Sequence, residues 1–141
     1  MSDIAYALGR VAASVVFVVF GYIQVTTIAN YVGHAAVLKF VADTGKILSP
    51  VMVAWSVAMI DLIGGLLLLI GFKTRWVAPV MLVFVALTIW YAHPFWTMEG
   101  AARATNQAHA LKNLAIMGAL LIFAAYGGGR YSVDGMRRGR A

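Results

Sequence analysis

Four side chains able to hold protons or hydrogen bonds stand where hydrocarbon is expected. Asp61 interrupts "VMVAWSVAMIDLIGGLLLLIGF", Gln24 closes "VVFVVFGYIQ", and Lys112 and Asn113 open "LKNLAIMGALLIFAAY". An acid at a bilayer centre costs about 2.5–3.5 kcal/mol on insertion scales, so by default it is paired, protonated or functional. Two readings stand for Asp61: a protonated acid bonded to Tyr22 or Gln24 that fixes helix register, or a group that handles a ligand or protons. Lys112 either snorkels outward on its long stem or turns inward toward Asp61 or a ligand oxygen. Asn113 can donate and accept beside it.

Three histidines, His34, His93 and His109, fall near one end of the apolar segments. Their spacing matches no standard haem or zinc motif, so no metal is expected. A histidine that bonds or protonates a quinone-like oxygen at a pocket mouth is the preferred chemistry. Trp90, Tyr91, Phe95 and Trp96 suit an interfacial belt, and they also suit the wall of a site for an aromatic head group. Gly127, Gly128 and Gly129 read as a helix stop. No strand precedes them and no GK[ST] follows, so they are not a phosphate loop.

The elements that carry these residues follow from composition. Of 141 residues, 62% are hydrophobic and 11% charged, against about a quarter charged in soluble domains. Mean hydropathy is +0.86. Too few polar side chains remain to cover a water-facing surface, so the chain is read as one integral membrane domain, residues 1–141. Cysteine is absent, which excludes disulfides, CxxC thiol chemistry, covalent haem and thiolate metal sites. The net charge of +6 lies in loops and the C-terminal tail, where it sets orientation and meets anionic lipid rather than nucleic acid.

Four segments are long and apolar enough to span, at about 17 residues or more: residues 11–29, 51–72, 76–92 and 110–126. The first is a retained anchor, because its leading residues carry one Arg against one Asp and no A-x-A site closes it. Arg10, Lys73, Arg75, Arg130, Arg137, Arg138 and Arg140 fall on one side, and Lys39, Lys46, Arg103 and Lys112 on the other. The richer side is expected to be cytoplasmic, with both termini there. Between spans one and two, "NYVGHAAVLKFVADTGKILSP" sets Val37, Leu38, Phe40 and Val41 among Lys39, Asp43 and Lys46, which predicts a short interfacial helix. The fold expected is all-α, a four-helix up-down-up-down bundle.

A rise of 1.5 Å per residue puts Asp61 roughly 15 Å into its span, and Tyr22 and Gln24 about 17–20 Å from the inner surface. Thr88, Trp90, Tyr91, His93, Lys112 and Asn113 fall at similar or greater heights. The polar residues therefore gather in the outer half and predict a pocket open to that face. Helical spacing predicts inward stripes of Arg10, Ser14, Gly21 and Gln24; of Ala54, Ala58, Asp61 and Gly65; and of Lys112, Ala115, Ala119 and Ile122. Small residues there let backbones approach closely.

An early "GR", then "DLIGGLLLLIGFKTR", "HPFW" and "ALKNLAIMGALLIFAAYGGGRYSVDG" together resemble the DoxX-like membrane proteins over essentially the whole chain. The closing stretch is the most specific part: K-N-L, an apolar helix, then G-x-G-R and S-x-D. In that family an acid, often Glu, precedes the glycine-leucine run; here it is Asp61, shorter by one carbon. The resemblance, through the small subunit of a thiosulfate:quinone oxidoreductase, implies a redox-associated subunit of a bacterial inner membrane with quinone as acceptor. On that reading Asp61, Lys112 and His93 do the chemistry, Asp61 as proton relay. Tyr22, Gln24, Trp90, Tyr91, Asn113 and His109 bind the substrate or quinone. No side chain is itself redox-active, so electrons pass between bound substrate and quinone or come from a partner protein. The competing expectation is a non-catalytic accessory subunit that stabilises a larger membrane complex. Homo-oligomerisation is compatible with either, and a small permease is disfavoured by the lack of an internal repeat.

Overall fold

The computed structural model describes residues 2–138. Among them the chain is all-helical: α1 (Asp3–Thr26), α2 (Ile28–Val32), α3 (Ala35–Asp43), α4 (Pro50–Ile70), α5 (Thr74–Ala92), a 3-10 turn (Phe95–Thr97), α6 (Gly100–Tyr126) and α7 (Val133–Arg138). Four of these, α1, α4, α5 and α6, are long and apolar enough to cross a membrane. Arg140 lies outside the described residues. Local chemistry explains the starts and stops. Ser2 and Ser49 accept hydrogen bonds from Ala5 and Met52 at the heads of α1 and α4, satisfying amides with no intrahelical partner. Gly71 ends α4 at φ 70°, a left-handed conformation glycine adopts freely.

Two spans differ from the segments expected. The first helix begins at Asp3 and ends at Thr26, where the chain turns into α2. The fourth begins at Gly100, ten residues before the apolar run, because the polar stretch "GAARATNQAH" is rich in alanine and holds no proline. Lys112 therefore sits in the body of a 27-residue helix, not at its head.

Helix α1 packs along α4 and α5 along α6, and the two pairs meet more sparingly. The α1–α4 seam is close: a Cβ on Gly21 would strike the backbone of Leu62, and one on Gly65 the backbone of Phe17 and Val18. The expected stripes on α1 and α4 are the buried faces, with Arg10, Ser14, Phe17, Gly21 and Gln24 against Ala54, Ala58, Asp61 and Gly65. On α6 the expected stripe is corrected. Lys112, Ala115 and Ile122 are exposed, and Ala110, Leu120 and Phe123 are buried instead.

Phe17, Leu68, Ala78, Met81, Val85, Leu120 and Phe123 fill the half of the bundle nearer the termini. That end is closed by the segment after α6. The Arg10 guanidinium, 2% exposed, donates to the carbonyls of Leu68 and Leu69 at 2.6 and 2.5 Å and to that of Tyr131 at 2.7 Å. A cation there also meets the negative end of the α4 dipole. Asp134 accepts from the amides of Lys73 and Thr74 at 2.8 and 2.9 Å, capping α5. Tyr6 donates to the carbonyl of Gly127 at 2.6 Å. The closing signature residue Asp134 thus ties the segment after α6 to the α4–α5 turn, and Arg10 and Tyr6 tie it to α1. Arg10, counted above with the orienting cations, is a buried structural one.

Candidate functional site

The opposite, distal half is not filled. Helix α3, where the interfacial helix is expected, lies across α4 and α5, burying Val37 and Val41 against Val53. Beneath it is a cavity of about 300 Å³ between α1, α4 and α5, at the lower end of ligand-site sizes. Its lining is mostly apolar, with Val53, Val57, Ile60, Phe84 and Leu87 among the walls and Phe40 and Leu48 contributed from the α3 side. Phe40 meets Tyr91 edge to face at 5.2 Å.

The polar lining is sparse and specific. Gln24 Nε2 donates to Asp61 Oδ2 at 2.9 Å, joining α1 to α4. Both residues are buried, at 7% and 6% exposure, and Gln24 Oε1 has no partner among the described residues. Ser56 and Thr88 lie farther from this floor, each hydroxyl bonded to its own helix. Tyr31, His34 and Tyr91 stand at the distal rim. Lys39 sits over the Tyr91 ring at 5.3 Å and bonds Asp43 at 2.6 Å. That hydrogen bond raises the pKa of its ammonium above the ordinary lysine value.

Of the residues assigned from sequence, the structure brings Asp61, Gln24 and Tyr91 to this cavity. It places the other six elsewhere. Lys112 is exposed, its ammonium 5.8 Å from the centre of the Phe20 ring, on the α1–α6 side. It takes the outward reading, and Asn113 beside it is half-buried outside the lining. Tyr22 and Trp90 point outward at 63% and 56% exposure, Trp90 packing on Trp96 at 5.3 Å. His93 and His109 stack at 5.0 Å, and His93 pairs with Asn106 at 3.0 Å, so both belong to an α5–α6 contact beyond the cavity. The reason is rotational: shared depth does not mean a shared face, and α6 turns its polar residues away from α4.

Ser56, Tyr31, Phe40 and Phe84 line the cavity although no motif in the sequence marks them as site residues, and His34, expected only near one end of the apolar segments, lines it too. A signal existed for α4 and α5. Val53, Ser56, Val57, Ile60 and Asp61 recur at three and four, as do Phe84, Leu87, Thr88 and Tyr91. Nothing in sequence indicated that α3 folds back over that face.

A multi-span helical membrane protein with this seam and cap is the class the fold defines. The sequence model of the DoxX family matches residues 5–94, and the chain belongs to that family. It is similar to inner membrane protein YphA of Escherichia coli (strain K12), 27% identical across 90% of this chain and 86% of the relative. It is also similar to inner membrane protein YqjF of the same organism, 28% identical across 95% of this chain and 92% of the relative. No solved structure matches it. The protein is a multi-pass protein of the bacterial inner membrane, embedded in lipid.

Proposed function

We propose that this DoxX-family chain is a subunit of a quinone-linked membrane oxidoreductase, and that its distal cavity takes the ring of a quinone or the corresponding hydroquinone. The observation that carries the reading is the Gln24–Asp61 pair at the floor of an otherwise apolar, aromatic-walled cavity. Apolar sites with a few convergent polar groups are the usual form of small-molecule pockets. Such a ring fits this lining, since its faces match Phe40, Phe84 and Tyr91 and its oxygens match the polar groups at floor and rim. A quinone, when bound, accepts two electrons and two protons.

The chain's own residues do the rest. The aromatic walls hold the ring, α3 excludes water, and Gln24 and Asp61 orient the deep oxygen. Asp61 holds or passes a proton at its carboxyl. With no cysteine in the chain, electrons come from a second bound substrate or from a partner subunit. The end carrying both termini faces the cytoplasm, supported by the excess of Lys and Arg there.

The test is binding of a short-chain quinone, in both redox states, to the purified full chain in lipid nanodiscs. Binding of either state that weakens about tenfold in Asp61→Asn is expected, the scale of one buried charged hydrogen bond. If neither state binds, and the chain purifies only with other subunits, it is a non-catalytic accessory subunit instead.

A further inference from the structure

We infer that the cavity draws its ligand sideways from the bilayer through a gap between α4 and α5. The ligand is then a ring-headed lipid whose ring fills the cavity and whose single apolar chain stays in hydrocarbon. The inference rests on the ligand reading above and adds the ligand's chain and its route.

The gap follows from which lining residues reach the outside of the bundle. Toward the closed end α4 and α5 touch, since a Cβ on Gly64 would strike the Met81 side chain. Distal to that contact the cavity lies between them. Its inner side is buried, with Asp61 at 6% exposure, but Ile60 on α4 is 37% exposed and Leu87 on α5 is 45% exposed. Ser56, Ile60 and Ile63 share one face of α4, and Val83 and Leu87 one face of α5. All five are exposed. The cavity thus runs from the Gln24–Asp61 pair to the outer surface of the α4–α5 seam.

Depth decides what that surface meets. Ile60 stands ten residues after Pro50 in a 21-residue helix, about 15 Å from its distal end and near the middle of the span. A bilayer core holds no water at that depth. Toward the distal surface α3 is in the way: Val37 and Val41 are buried against Val53, and Phe40 closes on Tyr91 at 5.2 Å. The rim left there carries the polar groups of Tyr31 and His34. An apolar chain leaving past His34 would emerge among polar groups, whereas one leaving between Ile60 and Leu87 continues into lipid. It has to leave somewhere. A cavity of about 300 Å³ is at the lower end of ligand sites, enough for a ring and too little for a ring with a long chain.

The test compares decyltrimethylbenzoquinone with tail-less trimethylbenzoquinone, each titrated against the full chain in nanodiscs at matched membrane concentration. A chain must occupy the gap at equilibrium, whereas a bare ring only passes through it. In Ile60→Trp and Leu87→Trp the decyl compound is expected to bind about tenfold more weakly, the scale of an overpacked contact. The tail-less ring should bind both variants as it binds the parent, and His34→Trp at the distal rim should leave both ligands unchanged. On the parent chain, a diazirine midway along the decyl chain should label Ile63 or Val83, the next exposed positions beyond the gap. Decyl affinity unchanged in both gap variants, or weakened only by His34→Trp, overturns the sideways route and leaves the ligand site standing. Adducts at Tyr31 and His34 with none on Ile63 or Val83 do the same, as does a tail-less ring that binds where the decyl compound does not. Binding of neither overturns both.

Discussion

Arg10 and Asp61 are ionisable side chains of opposite sign buried along one seam, and the fold uses them differently. Arg10 spreads its charge over three carbonyls at the closed end, whereas Asp61 is met by one neutral amide beside open space. A guanidinium can fork between the end of α4 and Tyr131, and an ammonium is a point charge that cannot match both. Arg10→Lys is therefore expected to cost about 1.5–3 kcal/mol, one charged hydrogen bond, seen as a lowered midpoint of thermal unfolding in detergent. A midpoint equal to the parent's would show that the fork is not what holds the closing segment. Sequence exposed Asp61 and Gln24 because a polar residue in an apolar run announces itself. Their direct bond was one of the alternatives, and depth alone could not choose it over Lys112.

At the scale of elements, the α1–α4 seam sets the distance between Gln24 and Asp61. Gly21 lies one turn from Gln24 and against Leu62, next to Asp61. Adding a methyl there pushes on backbone, which cannot rotate away as a side chain does. Gly21→Ala is expected to destabilise by about 1–3 kcal/mol, as overpacking does, and to weaken ligand binding beyond what Asp61→Asn alone removes. Unchanged melting and binding would mean the seam is looser than the geometry implies. The faces of α1 and α4 were legible because small and polar residues share one stripe on each. Helix α6 was not, since leucine, isoleucine and alanine surround it and lipid places no polarity requirement on its outer side. Its start was misplaced for a related reason: hydropathy marks where a span is apolar, not where a helix begins.

The whole molecule is asymmetric along its axis, packed at the end carrying both termini and hollow at the other. That arrangement gives the bundle a closed end held by Arg10 and Asp134 and an open end capped by α3. Because the chain has no cysteine, orientation can be read from single introduced thiols. Asn30→Cys on α2 should react with a membrane-impermeant maleimide added outside cells, and Met136→Cys on α7 only after permeabilisation. The reverse pattern would place the cavity on the cytoplasmic side. The central claim is where the ligand sits, and photolabelling with an azido-substituted short-chain hydroquinone, mapped by mass spectrometry, tests it most directly. The account predicts adducts on α4 and α5 at Ser56, Ile60, Thr88 or Tyr91, suppressed by unlabelled hydroquinone. Suppressible adducts around Lys112 and His109 on α6, with none on those residues, would contradict it.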